Sequence, residues 1–302
     1  MSAPRQRVAI TGSSGLIGGA LSRSLRERGH DVLHLVRREP SEPHERRWNP
    51  DAGHLTPGHL ANVDTVVHLA GAGVGDHRWT PEYKATIHAS RVDGTDLVSR
   101  VLAEGAGPTR LVTASGIAIY GDRGDEILTE HSTPATTFLA GVVRDWEGAT
   151  TPAKDAGIPV AHARTGIVLT MTGGALTPML RVGRLGIGGP LGSGRQYMPW
   201  ITLADTVAAY IRLIEDDSIT GPVNVTAPHP VRQRDLARAL GRRLHRPALV
   251  PTPRTAIRAA LGEFADEVLA SARVVPERLQ RAGFEHAHPR LDDAMDWLFP
   301  RD

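Results

Sequence analysis

The chain has 302 residues, a formal net charge of +2 and 40% hydrophobic residues, as is typical of a soluble globular protein. It contains no cysteine, which excludes disulfides, thiolate catalysis and cysteine-based zinc sites. No run reaches the ~18 apolar residues of a membrane span, and no basic stretch carries the interleaved aromatic residues of a nucleic-acid surface. We therefore expect a cytoplasmic protein without a signal peptide that binds neither membranes nor nucleic acid.

The first half of the chain alternates strand-like and helix-like segments. Short β-rich runs lie at 7–11, 31–36, 63–69, 111–114 and 160–163, and amphipathic stretches lie at 16–28, 81–102 and 139–156. This order predicts an α/β fold of the Rossmann type, in which helices cover both faces of a doubly wound parallel sheet.

The second half of the chain is less regular in pattern. The segment 166–194 contains nine glycines, which predicts loops and short elements. Helices are predicted at 203–214, 232–244, 255–261 and 291–298, and a strand at 223–226. We assign residues 1–165 to a Rossmann domain, to which segments near 200–226 return. Residues 166–200 and 227–302 form a smaller C-terminal substrate lobe in this prediction.

The sequence TGSSGLIG joins the first strand to the first helix. Its first glycine permits a tight turn, its second lets the backbone approach a pyrophosphate, and its third lets the helix pack closely on the sheet. The free N–H groups at the start of the helix favour phosphate. The order strand, loop, helix indicates a dinucleotide site rather than a purely structural turn. The predicted cofactor loop comprises Gly12, Ser13, Ser14, Gly15, Leu16, Ile17 and Gly18.

The end of the second strand is where such folds read the 2′ position of the adenosine ribose. An NAD site places Asp or Glu there. This chain has Arg37 and Arg38 instead, while Asp31 begins the strand. Guanidinium groups suit a 2′-phosphate, so we predict NADP(H) as the cofactor. A solvated basic pair is the alternative, and it would leave the preference open.

Several motifs resemble one family over nearly the whole chain. TGSSGLIG, followed by HLAG at 68–71, resembles the extended short-chain dehydrogenase/reductases, in the NAD-dependent epimerase/dehydratase branch. The remaining marks are SRVDGT at 90–95, SGIAIYG at 115–121, RTGIVL at 164–169 and GGPLGSGRQ at 188–196. They resemble the "epimerase family" proteins that end in an epimerase-associated domain of unknown function. The resemblance implies further cofactor contacts at Leu69, Ala70, Gly71, Arg91 and Ile167.

The resemblance also implies a Tyr-x-x-x-Lys pair, in which lysine lowers the tyrosine pKa and tyrosine exchanges a proton with the substrate. The chain has four tyrosines, and none is followed four residues later by lysine. On the expected helix the pair falls near Leu139 and Val143, which are apolar. Arg91 replaces the usual asparagine. By this resemblance the chain is an atypical member.

Two hydroxyl side chains remain as candidates for catalysis. Ser115 follows a strand at the carboxyl edge of the sheet, where parallel α/β folds bind ligands, and it resembles the catalytic serine of the superfamily. Tyr120 lies five residues further on. The alternatives are a satisfied loop hydroxyl for Ser115 and an aromatic ring that closes a turn for Tyr120.

The loop that contains Arg195 and Gln196 resembles a substrate-capping segment. These two side chains are predicted to bind an anionic or hydroxylated ligand, and a flexible surface loop is the alternative. No metal site is predicted. The leading hypothesis is an NADP(H)-dependent oxidoreductase or epimerase-like enzyme that acts on a small carbonyl or hydroxyl compound. The rival is an NADP(H)-binding sensor or interaction protein that has lost catalysis.

Overall fold

The computed structural model describes residues 4–105 and 107–300. Its strands are β1 (Arg7–Thr11), β2 (Asp31–Val36), β3 (Glu45–Arg47), β4 (Thr65–His68), β5 (Arg110–Gly116), β6 (Ile127–Leu128), β7 (Val160–Thr165), β8 (Ile167–Leu169), β9 (Tyr197–Met198), β10 (Trp200–Thr202), β11 (Gly221–Val225), β12 (Val231–Arg232) and β13 (Arg273–Val274).

The helices follow the strands in the alternation that the sequence predicts. They are α1 (Leu16–Glu27), α2 (Pro81–Ala103), α3 (Phe138–Gly148), α4 (Thr151–Asp155), α5 (Leu176–Arg184), α6 (Leu203–Glu215), α7 (Gln233–Leu244), α8 (Arg254–Leu261), α9 (Phe264–Leu269), α10 (Glu277–Arg281) and α11 (Leu291–Leu298). Within the described residues, none of these helices is long and apolar enough to cross a membrane.

The main sheet has seven parallel strands in the order β11-β7-β5-β4-β1-β2-β3. Strand β1 pairs with β2 on one side and β4 on the other, so that Val8 lies beside both Val32 and Thr65. The strand order reverses between β1 and β4, and such a switch point opens a crevice at the carboxyl edge of the sheet. This confirms the predicted doubly wound Rossmann fold.

Alternate residues of the strands supply two cores. Val8 and Ile10 of β1 face a cluster that includes Leu21 of α1 and Ile211 of α6. Ala9 faces the opposite cluster, which includes Val98 of α2. Both faces of the sheet are buried, which explains why apolar residues occupy successive positions in β1 and β4 and not only alternate ones.

The later part of the chain builds a third core, which joins α5, α7, α11 and β10. Trp200, Leu236 and Met295 are buried in it. The segment around α5 was predicted only as loops and short elements, because its glycines obscured a helical pattern. The predicted boundary between residues 165 and 166 stays a prediction. The strand β11, which lies inside the returning segment, pairs with β7 at the edge of the main sheet.

The prediction of one continuous helix over 139–156 is wrong. The stretch 139–156 forms two helices, α3 and α4, with Pro152 in the first turn of α4. Proline lacks an N–H and its ring clashes with the carbonyl of the preceding turn, so a single helix cannot continue through it. The break lets α4 pack on α2 while α3 lies at the end of β5.

Candidate active site

The loop after β1 is built around two glycines that the protein itself requires. Gly12 has φ of +67°, and a Cβ there would lie 2.9 Å from the backbone nitrogen of Ala70. A Cβ at Gly18 would lie 2.3 Å from the carbonyl oxygen of Gly12. Both contacts are with backbone atoms and cannot relax cheaply. These glycines therefore let β1, α1 and the loop after β4 approach one another.

Gly15 has a different role in the same loop. It is exposed, it forms the N-cap of α1, and no side chain caps this helix. A Cβ there would meet one atom within 4 Å, the carbonyl oxygen of Gly12 at 3.2 Å. The first N–H groups of a helix have no intrahelical partner, and they carry the positive end of its dipole. An open, uncapped helix start of this kind fits a pyrophosphate.

The neighbouring side chains complete the predicted cofactor loop. Ser13 is partly exposed and Ser14 is exposed, while Leu16 and Ile17 are partly buried. The isobutyl group of Leu16 lies under the loop after β8, where a Cβ at Gly174 would be 3.4 Å from it. Ile167 begins β8 and is half-buried. The structure thus brings the loop after β8 against the glycine loop.

The two arginines after β2 have different surroundings. The guanidinium of Arg38 donates two hydrogen bonds to the carboxylate of Glu45, one of them at 2.8 Å. Together with the backbone N–H of Ser41, this contact lowers the pKa of Glu45 to about 2. Arg37 is exposed and makes no hydrogen bond to any described residue. Arg38 is therefore oriented by the protein, whereas the donors of Arg37 are free for a ligand.

The loop after β4 is held on the other side of the switch point. The hydroxyl oxygen of Thr11 accepts hydrogen bonds from the backbone N–H groups of Leu69, at 3.0 Å, and Ala70, at 3.2 Å. A Cβ at Gly71 would lie 3.5 Å from the side chain of Arg91. These contacts place residues 69–71 and Arg91 beside Gly12, as the predicted cofactor site requires.

Arg91 is half-buried in this position. One of its N–H groups donates to the carbonyl of Ile87 at 3.0 Å, and its guanidinium lies 5.3 Å from the ring centre of Trp146. Burial lowers the pKa of Arg91, although Tyr83 acts in the opposite direction. A guanidinium stays charged even so. It keeps unused donors at the edge of the crevice.

The surface that would carry the Tyr-x-x-x-Lys pair is apolar. Leu139 and Val143 of α3 are both buried. Val143 packs against Gly116, where a Cβ would lie 3.5 Å from its methyl group, and Leu139 packs with Ile87 of α2. No proton donor stands at either position.

Ser115 begins a buried polar chain. Its hydroxyl donates to the carboxylate of Glu147 at 2.6 Å, and Arg164 donates to both oxygens of the same carboxylate at 2.8 Å. Burial works to raise the pKa of Glu147, but the hydrogen bonds and charge of Arg164 outweigh it and leave that pKa below its ordinary value. Glu147 is therefore an ionised structural partner at neutral pH.

Tyr120 lies at the other end of this chain and is fully buried. Its hydroxyl donates to Asn224 at 2.7 Å and accepts a hydrogen bond from Arg164 at 3.0 Å. Burial raises the pKa of Tyr120, although Arg164 and Asn224 oppose the shift. The hydroxyl has no surface that a substrate can reach. This geometry speaks against the predicted proton-transfer role and favours a structural link between β5 and β11.

Sequence reasoning assigned no role to Arg164, Asn224 or Glu147. Arg164 is a charged residue in strand β7, whose residues are almost all buried, and a buried charge needs a partner. That signal was present in the sequence. Its partner was not evident, because Glu147 lies 17 residues away and meets Arg164 only after the helix packs on the sheet.

The two predicted substrate residues, Arg195 and Gln196, have different surroundings in the structure. Gln196 is buried, and its amide donates to the carbonyl of Leu191 at 3.0 Å, so it shapes its own loop. Arg195 is exposed. Both residues line a cavity of about 580 Å³ in the C-terminal part of the chain. Of these two residues, Arg195 is the one whose side-chain donors make no hydrogen bond to a described residue.

A C-terminal helix covers the loop after β4. The ring of Phe264 in α9 lies 5.6 Å from that of Trp79, and a Cβ at Gly75 would be 3.0 Å from it. Lys84 of α2 forms an ion pair with Glu263 just before α9. The sequence did not reveal this cover, since α9 is short. Among the residues that the structure describes, no group of acidic or histidine side chains is arranged to hold a metal ion.

The fold and this crevice define a protein with a nicotinamide-dinucleotide site of the epimerase and short-chain dehydrogenase type. Family comparison agrees with that class. Residues 8–140 match the NAD dependent epimerase/dehydratase family, and residues 252–298 match a domain of unknown function, DUF1731. An epimerase family protein of Mycobacterium tuberculosis is 43% identical over 97% of this chain and 98% of its own length. The chain belongs to these epimerase family proteins.

Two solved structures are similar over 98% of the chain. The human epimerase family protein SDR39U1, solved with NADPH, has a TM-score of 0.89 and 29% identity, and the match covers 100% of that protein. A nucleoside-diphosphate sugar epimerase from Corynebacterium glutamicum has a TM-score of 0.82 and 37% identity. This chain spans 58% of the length of that protein.

Proposed function

We propose that this protein binds NADP(H) and catalyses hydride transfer to or from a small carbonyl or hydroxyl compound, as a reductase or in an epimerase-like oxidation and re-reduction. The observation that carries the proposal is the exposed, uncapped start of α1 at Gly15, framed by Gly12 and Gly18. The bound cofactor would supply or accept the hydride. The chain's own residues would position it.

The preference for NADP(H) is supported by the end of β2. No acidic residue follows that strand directly, and Glu45 orients Arg38 while Arg37 remains unbonded among the described residues. The human relative was solved with NADPH. In this proposal Arg37 and Arg38 hold the 2′-phosphate, residues 12–18 hold the pyrophosphate, and Gly71, Arg91 and Ile167 line the rest of the site.

Ser115 is the chain's remaining candidate for contact with a reacting oxygen. The hydroxyl of Ser115 donates its hydrogen bond to Glu147, so its oxygen can still accept a hydrogen bond from a substrate hydroxyl. This orients the substrate but supplies no proton, since an alkyl hydroxyl is not an acid at neutral pH. Tyr120 is buried and Leu139 is apolar. We therefore propose slow turnover, or turnover of substrates that carry their own acidic group.

The test follows NADPH absorbance against a panel of aldehydes, ketones and quinones. Ser115→Ala should lower kcat at least about 10-fold, because a misplaced substrate loses its reactive geometry. Tyr120→Phe should leave kcat within about threefold in protein that remains folded, and Ser24→Ala on α1 serves as the matched control. Loss of turnover in folded Tyr120→Phe would show that Tyr120 does transfer a proton to or from the substrate. Unchanged turnover in Ser115→Ala would remove Ser115 from the site.

A second function, NADP(H)-dependent sensing or protein interaction without catalysis, is favoured by one observation. The positions of the missing catalytic pair are filled by buried apolar side chains. Tight NADPH binding without turnover of any compound in the panel would support this reading over the enzyme. The cytoplasmic location stays a prediction that rests on the absence of cysteine.

A further inference from the structure

Exposed aliphatic side chains are concentrated on one surface near the end of α5. Among the described residues, eight large hydrophobic side chains are exposed, and five of them lie in two short segments: Val182, Leu185, Ile187, Leu249 and Val250. Single exposed apolar residues are ordinary, but a group of them marks a surface that contacts something apolar. We call residues 181–187 and 246–250 together the α5 surface.

Contacts with backbone atoms hold the two segments of the α5 surface side by side. The side chain of Arg246 donates a hydrogen bond to the carbonyl oxygen of Arg184 at 3.4 Å. A Cβ at Gly189 would clash with the carbonyl oxygen of Val250, so the chain that leaves the first segment runs directly against the second. The aliphatic side chains of the two segments are therefore neighbours.

The geometry of α5 explains why these side chains are exposed. Leu176 is buried in the third core, and Leu185 follows it by roughly two and a half helical turns, so that it lies on the opposite face of the helix. Gly186 then has a φ of +76°, and the N–H of Ile187 donates to the carbonyl of Val182 at 3.2 Å. This Schellman motif fixes the end of the helix. The backbone therefore holds the exposed side chains in place.

The α5 surface is also basic. The ranges 156–204 and 236–262 together contain ten arginines, no lysine and no acidic residue. Arg181, Arg184 and Arg246 are exposed and form no ion pair with any described residue. Three positive charges beside aliphatic side chains thus have no anionic partner within the described part of the chain.

We propose that the α5 surface docks the protein on an anionic lipid membrane. Its aliphatic side chains would enter the boundary between headgroups and acyl chains, and its arginines would meet the lipid phosphates. Binding of this kind grows with the buried apolar area and with the attraction to anionic lipids. The inference goes beyond the proposed function and does not depend on it.

This proposal departs from the sequence prediction that the chain binds no membrane. That prediction was based on the lack of an apolar run long enough to span a bilayer. A peripheral contact needs no such run, because folding brings its apolar residues together from two separate segments of the chain.

The chemistry of the α5 surface favours a lipid membrane over another protein. Its exposed hydrophobic residues are all aliphatic, whereas protein interfaces draw much of their binding energy from Trp and Tyr. Leu185 and Leu249 are 74% and 79% exposed, so they project from the surface and do not line a groove. A second copy of this chain would bring the same three arginines together across a twofold axis, where like charges repel.

The experiment is co-sedimentation of the full chain with vesicles of equimolar phosphatidylglycerol and phosphatidylcholine at about 0.1 M salt. The wild type should bind these vesicles. It should bind vesicles of phosphatidylcholine alone at least about 10-fold more weakly, because the arginines lose their attraction to anionic lipid. Binding to the anionic vesicles should also weaken as the salt concentration rises, since ions screen exposed charges.

Two double variants remove the two components of the α5 surface separately. Leu185→Ser with Leu249→Ser should weaken binding to the anionic vesicles at least about 10-fold, because less apolar area enters the lipid. Arg184→Gln with Arg246→Gln should weaken binding about 25-fold, which is about fivefold for each arginine.

The matched controls are Ile127→Ser and Arg23→Gln, at exposed positions outside the α5 surface, and both should leave binding unchanged. Unfolding midpoints equal to that of the wild type show that each variant is folded. No binding by the wild type, equal binding to both kinds of vesicle, or undiminished binding by both double variants would overturn the proposal. Binding to poly-glutamate but not to vesicles would replace the membrane by an acidic protein. Self-association that the leucine variant loses would replace it by a second copy.

Discussion

The two sides of the switch point differ in the side chains and backbone groups that they offer to a ligand. On the side of β1 and β2, Gly12, Gly15 and Gly18 leave an open helix start, and Arg37 keeps its donors free. On the side of β5 and α3, the place of the usual catalytic pair is filled by apolar side chains. Beneath it, Glu147 and Arg164 form a buried ion pair.

This difference teaches that cofactor binding and proton chemistry are separable in one fold. Phosphate recognition uses backbone N–H groups and glycine, so it survives wherever the turn geometry survives. Proton transfer depends on a few side chains at defined positions, which substitution can remove without loss of the fold. The predictions below break or sharpen this contrast, beginning with the largest expected effect.

The largest effect concerns the buried ion pair. Glu147→Gln leaves Arg164 charged and without its carboxylate, which should reduce the free energy of unfolding by about 3–5 kcal/mol. The folded pKa of Glu147 is below its ordinary value, so its stabilisation is present above that value and is lost as the pH falls. Denaturant unfolding at several pH values measures both effects.

The control for the ion pair is Glu126→Gln. Glu126 pairs with Arg123 at 2.7 Å on the surface, and its loss should cost less than about 1 kcal/mol. Equal costs for the two variants would mean that the β5 side is not held together by Glu147. The claim that a buried ion pair stabilises the β5 side of the switch point would then be wrong.

The second prediction acts on the cofactor side alone. Gly15→Val places a branched side chain where the pyrophosphate would lie, so NADPH binding should weaken at least about 100-fold, or roughly 2.7 kcal/mol. The fold should persist, because a Cβ at this position meets only one protein atom within 4 Å. Calorimetry with NADPH and thermal unfolding together provide the test.

Gly18→Ala is the matched comparison for Gly15. Its Cβ would lie 2.3 Å from a backbone oxygen, so it should destabilise the protein itself. Undiminished NADPH binding by folded Gly15→Val would show that the turn is only structural.

The third prediction concerns the 2′ position. Arg37→Ala should weaken NADPH binding by about 1.5–3 kcal/mol and change NADH binding little, because only NADPH carries the phosphate. Comparing the two dissociation constants for wild type and variant measures the effect. Arg46→Ala is the control, because this neighbouring arginine donates hydrogen bonds to the backbone carbonyls of Pro43 and Glu45. If the variant binds NADPH and NADH equally less tightly, Arg37 attracts both cofactors by its charge and does not recognise the 2′-phosphate.

The smallest effect concerns the helix that covers the crevice. Burial, with the nearby negative charge of Asp266, raises the pKa of Glu267 to about 7. A raised carboxyl pKa means that the folded state favours the proton, so stability falls as the pH rises from about 4.5 to 7. Glu267→Gln should flatten this dependence and add about 1–2 kcal/mol at pH 8, with allowance for solvent screening.

Unfolding midpoints from pH 4 to 8 test the Glu267 prediction. Glu285→Gln, at an exposed position, should leave the pH dependence as it is in the wild type. A Glu267→Gln variant that retains the full dependence would show that α9 holds no buried acid beside the crevice.

Much of the fold was predictable from local pattern. The strand at 31–36 and the helix at 291–298 were predicted with the bounds that the structure shows. Local signals failed where the chain is glycine-rich or a helix is short, as in α5 and α9. They also failed at Pro152, whose interruption of the 139–156 helix outweighs the amphipathic pattern around it.

The candidate site divides in the same way. The sequence by itself determined the dinucleotide loop and the absence of Tyr-x-x-x-Lys, because both depend on residues that are neighbours in the chain. Only the tertiary structure decided that Tyr120 is enclosed by Asn224 and Arg164, and that four arginines from three segments line one pocket. Those contacts join residues up to 104 positions apart. Burial and charge balance depend on what packing brings together, and no local pattern specifies that.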